Sequence, residues 1–196
     1  MKVVKRLLGI YDRLGLRNVR LISSMLQSGL ALIADPLAKV KRIEFPPGYN
    51  RYYKGLMLLE RFERTTVEVV KDVLLPGMNV IDVGAHIGYF SLIFSNLVGP
   101  NGKVYAFEPH PDNYRLLCKN VQTTRHRNVI PINKAVSDTI GKVKLFESAF
   151  SDWHTLYPGV VKEATGNYPS RSISVESITL DAFVADQGNP EFTLSR

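Results

Sequence analysis

Residues 80–90 read Val-Ile-Asp-Val-Gly-Ala-His-Ile-Gly-Tyr-Phe. A short β-branched apolar run breaks into a glycine-bracketed loop, and an apolar helical pattern follows it directly. Few folds place a strand, a tight loop and a helix in that order with so little between them. The text around it repeats the theme. Pro76-Gly77 is a turn, and residues 79–83 form a strand. Residues 84–88 are the loop, and residues 89–98 a helix stopped by Gly99-Pro-Asn-Gly102. A second strand covers 103–107 and ends at Glu108-Pro109. A second helix is expected over 112–123 and a third strand over 128–133. Near-continuous apolar strands, alternating with helices, predict parallel βαβ units covered on both faces, with right-handed crossovers. After Gly141 the pattern alternates as in a half-buried strand, and 172–180 forms a second such run, which together suggest a hairpin. Residues 148–171 between them read as an irregular loop. No internal repeat is present.

Charge narrows the field. The 196 residues carry a net charge of +7, and 45% of them are apolar. Residues 1–42 hold nine Lys and Arg against Asp12 and Asp35, which accounts for the whole excess. The remainder is neutral, so a nucleic-acid-binding surface spread over the fold is not expected. Cys118 is the only cysteine. It rules out an intrachain disulfide and a thiolate zinc cluster, fits a cytoplasmic protein, and reads as a small packed residue.

The N-terminal text is helical. Val3, Leu7, Ile10 and Leu14 recur at helical spacing among Lys2, Lys5, Arg6 and Arg13, a basic amphipathic pattern over residues 2–16. It admits two readings: a helix on an anionic membrane face, or one packed on the body or a partner. The apolar stretches are too short for a signal segment or a membrane span. A second helix is expected over 19–34, closed by Asp35-Pro36. Residues 43–53 read as a Pro- and aromatic-rich linker, and one lead-in helix is expected over about 56–73. The expected organisation is a basic arm (1–42), a linker with lead-in helix (43–75) and an α/β domain (76–196).

In doubly wound sheets, ligands sit beyond the carboxyl ends of the strands. Gly84 allows backbone to come close to a ligand, and Glu108 can accept two hydrogen bonds from a ribose diol. Two cofactor classes use this layout. The dinucleotide fingerprint Gly-x-Gly-x-x-Gly, laid from Gly84, meets His86 and Tyr89 where glycines are needed. The spacing here is Asp82-x-Gly84-x-x-x-Gly88. A carboxylate at 82 suits an ammonium better than a diphosphate. This favours S-adenosylmethionine over a nicotinamide dinucleotide, whose oxidoreductase chemistry is the disfavoured alternative.

The stretch from Pro76 through Asp82, Gly84 and Gly88 to Leu92 resembles the opening of the FkbM family of S-adenosylmethionine-dependent methyltransferases. Val104-Tyr-Ala-Phe-Glu-Pro-His-Pro, Tyr114-Arg-Leu-Leu, Asn120, Asn133-Lys-Ala-Val-Ser-Asp and Ser177-Ile-Thr-Leu-Asp-Ala-Phe extend the likeness over about 50–192. The resemblance implies a Rossmann-like class I fold and methyl transfer to a hydroxyl of a small molecule or glycan. It puts Asp82, Gly84, Ala85, His86 and Gly88 on the cofactor loop and Glu108 on the ribose. His86 stands where the family usually has Asn. Family members continue past Asn-Pro-Asp/Glu-Phe into a fourth strand with Asp-x-Glu-Gly, whereas this chain ends Thr193-Leu-Ser-Arg196. The expectation is an incomplete, C-terminally truncated sheet of three parallel strands with one face uncovered. A non-catalytic remnant is then the alternative to an active enzyme.

A hydroxyl acceptor benefits from a general base. His86, His110, Asp152 and His154 are the candidates, none at a diagnostic spacing. The plain readings are a helix-start residue for His110, a surface loop residue for His154, and structural acids for Asp82 and Glu108. No metal site is expected. The expected partners are a small-molecule or glycan substrate and, through residues 1–42, a membrane surface or another protein. The expected location is cytoplasmic or membrane-peripheral.

Overall fold

The computed structural model describes residues 10, 13, 20–123, 127–147, 154–165, 169, 171–188 and 192–195. The chain divides into two compact units, residues 1–69 and 70–196.

In the first unit, helix α1 (Arg20–Lys41) packs on α2 (Arg51–Leu58). Leu30 and Leu59 are buried between them, flanked by Leu26, Leu37, Tyr52 and Leu56. Most of the basic pattern at 2–16 lies outside the described residues. The helix expected over 19–34 does not stop at Asp35-Pro36. Proline removes one amide donor from the ladder, but Leu37 beyond it still packs into the Leu30 cluster, and that burial carries the helix on. It ends where Arg42 takes φ 55°. There the Ile43 amide donates to the Ala38 carbonyl and the Arg42 amide to that of Lys39, the paired closure of a left-handed C-cap.

The expected linker is helical at its end, because the Asn50 side chain accepts the Tyr52 and Tyr53 amides and caps α2. The single helix expected over 56–73 is two. Glu60 and Glu63 adopt positive φ and separate α2 from α3 (Arg64–Val73), which crosses the unit boundary.

The second unit opens as the sequence predicts, with β1 (Asn79–Val83), α4 (Tyr89–Val98), β2 (Lys103–Phe107), α5 (Pro111–Val121) and β3 (Val129–Ile132). A fourth parallel strand, beyond the three expected, is also present. The sheet order is β3-β2-β1-β7, with β7 (Phe192–Ser195) beside β1. Between them lie β4 (Ala135–Val136), β5 (Gly141–Glu147), α6 (Pro158–Thr165), β6 (Arg171–Ile178) and α7 (Leu180–Asp186). β5 and β6 form the expected antiparallel hairpin, joined by β4 into a second sheet of three strands. The loop expected over 148–171 contains α6.

Strand alternation sorts the core. Val80, Val104 and Ala106 face α3, α4 and α5, meeting Val70, Leu74, Phe94, Val98, Leu117 and Val121. Ile81, Tyr105 and Phe107 point the other way. The sequence predicts one face without cover, yet both carry buried residues, Ile81, Tyr105 and Phe107 on this one. The Phe183 ring of α7 meets Tyr105 and Phe107 edge-on, at 5.2 and 5.0 Å between centroids. Thr179 caps α7 by accepting the Ala182 amide. Among the described residues no helix is long and apolar enough to cross a membrane.

Candidate functional site

The carboxyl ends of β1, β2 and β3 meet through backbone first. The amides of Gly84 and Ala85 both donate to the Phe107 carbonyl, each at 2.9 Å, and the Glu108 amide donates to that of Ile132. The loop leaving β1 is thereby laid against the end of β2. Gly84 has φ +76°, and a Cβ built there would find no atom within 4 Å. It borders open space, and its backbone is exposed. Gly88 differs. At φ +91° it caps α4, and a Cβ would lie 2.9 Å from Leu117 Cδ1. Glycine is needed there for both the backbone angle and the close approach of α5.

His86 lies between them with φ 52°. Asn, Asp and His tolerate the left-handed region better than other side chains. That accounts physically for His where the family resemblance expects Asn: both can hold this turn. The loop is also tied from below, since buried Asn120 donates to the Ile87 carbonyl at 2.9 Å.

Glu108 is 5% exposed. Its Oε2 accepts the His86 amide at 2.8 Å, and its Oε1 accepts the His110 amide at 2.9 Å. Asn113 adds a side-chain bond. Burial raises the Glu108 carboxyl above the ordinary range, and these hydrogen bonds oppose the rise. Each carboxylate oxygen has room for more than one donor, so the group can hold the loop and still receive hydroxyls. Asn133 donates to the Glu108 and Pro109 carbonyls at 2.8 and 3.1 Å, fixing the turn from β3.

Asp82 is placed differently. It points to the α4 side of the sheet, is 2% exposed, and accepts the Ser91 hydroxyl at 2.5 Å. Burial raises its carboxyl to about 6, the Ser91 hydrogen bond works against the rise, and nearby Glu108 adds to it. It underlies the loop.

Three of the four base candidates come together. His110 caps α5, its Nδ1 accepting the Asp112 amide at 3.3 Å. Nε2 therefore carries the ring proton and faces Glu147 Oε1 at 3.1 Å. Both ring nitrogens are engaged in this arrangement, and His110 orients Glu147. The His154 ring stacks on it, 4.2 Å between centroids. Burial, and then His110, push His154 down to about 4, with Glu147 and Asp112 pulling the other way. Burial, then His154 and His110, likewise push His86 to about 4. Both imidazoles are neutral at pH 7. Asp152 lies outside the described residues.

Sequence reasoning missed Ser91 and Glu147. Ser91 carries a readable signal, as a hydroxyl on an otherwise apolar helix facing a buried acid. Glu147 carries none, because its partner His110 caps α5, 37 residues earlier in the chain.

Residues 82–194 match the family described as the methyltransferase FkbM domain. A protein-L-isoaspartate O-methyltransferase of Methanothrix thermoacetophila is 39% identical over 58% of this chain and 59% of its own length. The 31-O-demethyl-FK506 methyltransferase FkbM of Streptomyces tacrolimicus is 44% identical over 35% of this chain and 25% of its own. Among solved structures, a SAM-dependent methyltransferase from Aquifex aeolicus is 30% identical over 35% of this chain and 37% of its own, with a TM-score of 0.33. The chain spans about half the length of the curated relatives it matches.

Proposed function

Because this chain belongs to the FkbM family of methyltransferases, we propose that it binds S-adenosylmethionine at the ends of β1 and β2 and methylates a hydroxyl oxygen of a small molecule or sugar. The observation that carries this reading is the pairing of open backbone at Gly84 with the Glu108 carboxylate across one loop. The first admits a ligand close to the main chain. The second offers each of two neighbouring hydroxyls an acceptor. When bound, the cofactor supplies an electrophilic methyl on a sulfonium with a good leaving group.

The chain's own work is then positioning. Glu108 fixes the ribose. The loop from Gly84 to Gly88, held by Asn120, shapes the floor. Asp82 supports that loop through Ser91. His86 and His154 keep neutral rings on this side of the sheet, which suits a site for a cationic cofactor, because a protonated imidazole there would repel it. A neutral ring is also the form able to accept the acceptor's proton. Similarity to the protein-L-isoaspartate O-methyltransferase of Methanothrix supports a second acceptor class, a carboxylate on a peptide.

Titration calorimetry tests the cofactor. S-adenosylmethionine should bind the full chain and NAD should not, and binding of NAD alone would overturn the proposal. Transfer of a labelled methyl group to polyol and sugar acceptors, against isoaspartyl peptides, decides between the acceptor classes.

A further inference from the structure

The first unit carries a surface that the cofactor site does not use. Helix α1 has two apolar stripes. One, with Leu26, Leu30 and Leu37, is buried against α2. The other contains Met25, Leu32 and Val40, which are 68%, 71% and 80% exposed. At 3.6 residues per turn the three fall within an arc of about 80°, so they share one face of the helix. Exposed Gly29 and Pro36 continue that face, and Ile33 borders it. No charged residue interrupts it, and Lys39 flanks it near the carboxyl end.

We infer that this face of α1 docks on an anionic lipid bilayer. Charge selects the occupant. Residues 1–42 hold the chain's entire positive excess. One of their two acids, Asp35, is already paired with Arg51 at 3.0 Å and Lys54 at 2.9 Å. Among the described residues ahead of α1, Arg13 is exposed and Ile10 is 46% exposed. Apolar side chains that can enter the headgroup boundary, together with a basic segment, are the two signals that stable peripheral binding requires. Neither suffices alone. Because α2 covers the opposite stripe, α1 meets the bilayer along its length.

Sedimentation of the full chain with vesicles tests this. The protein should pellet with equimolar phosphatidylglycerol and phosphatidylcholine, and stay in solution with phosphatidylcholine alone. Raising salt from about 0.1 to about 0.5 M should weaken binding. The double variant Leu32→Glu, Val40→Glu should lose roughly tenfold or more in partition. Val69→Glu, an exposed apolar position on α3, should lose little. Lys39→Glu with Arg42→Glu should reduce binding several-fold without touching the apolar face. Circular dichroism checks that each variant keeps its helices. Unchanged binding by the Leu32/Val40 variant overturns the inference, as does absence of binding to the anionic vesicles. So does a dimer in light scattering that this variant abolishes, since a second copy would then cover the face.

Discussion

The backbone amide of His86 donates to Glu108 Oε2 across 2.8 Å, so the loop after β1 rests on the acid that ends β2. One carboxylate thus orders the loop and, under the proposed function, also receives the ribose, so its removal should be felt twice. Glu108→Ala should weaken S-adenosylmethionine binding by roughly 100-fold and also lower the thermal midpoint. Glu108→Gln, which keeps one acceptor oxygen, should lose roughly tenfold. The range follows from hydrogen bonds to charged groups at about 1.5–3 kcal/mol each. Calorimetry and thermal melts read the two effects separately, and unchanged affinity in the alanine variant would remove Glu108 from the site.

At His86 the backbone angle sets what is tolerated. His86→Asn should leave stability within about 0.5 kcal/mol, because Asn accepts the left-handed region. His86→Val should cost about 1–3 kcal/mol, because a β-branched side chain does not. Urea unfolding of both variants checks the contrast.

Asp82 tests whether a buried acid is maintained at a cost. Its folded value is raised from 3.8 to about 6. Stability from this group is therefore fully present below pH 3.8 and is lost as pH rises through 6. Asp82→Asn keeps an acceptor for Ser91 and removes the ionisation. It should gain on the wild type as pH rises from 4 to 7, by up to about 3 kcal/mol. Stability curves for the two proteins that run parallel over that range would contradict the assignment.

The two histidines act in the opposite sense. His86 and His154 are depressed from 6.5 to about 4. Their contribution is whole above pH 6.5 and is lost as pH falls toward 4, by roughly 2–4 kcal/mol for the pair once partial solvent exposure is allowed for. The double variant His86→Asn, His154→Gln should lose less stability on acidification than the wild type. Since Asp82 works in the same window with the other sign, the comparison is variant against wild type at each pH. Cofactor affinity should also fall on acidification in the wild type, and less so in the variant.

The parts of the fold legible in the sequence are those whose determinants are local. Strands β1 to β3 are apolar runs between turn residues, and Gly84, Gly88 and Glu108 sit at their ends in a spacing that itself suggests a ligand. Where reading failed, a distant contact outweighed a local signal. Pro36 is a reasonable stop, but Leu37 packs into a cluster with Tyr52 and Leu56 of the next helix. The break between α2 and α3 has no proline or glycine to mark it, only two glutamates in left-handed backbone. The pairing of His110 with Glu147 needs the β5–β6 hairpin folded beside β2, and no spacing encodes that.

Strand order carries a consequence for how the molecule assembles. Asn79 pairs with Lys103 on one side and with Phe192 on the other. The first partner is one crossover away, and the second arrives only after nearly the whole unit has been threaded. Loop-closure entropy favours the near pairing, and topology of this kind sets the sequence of folding events. The β1–α4–β2–α5–β3 segment, with Glu108 already on the His86 amide, should therefore form first and β7 should add late. Substitutions in β7 should speed unfolding and leave the folding rate almost unchanged.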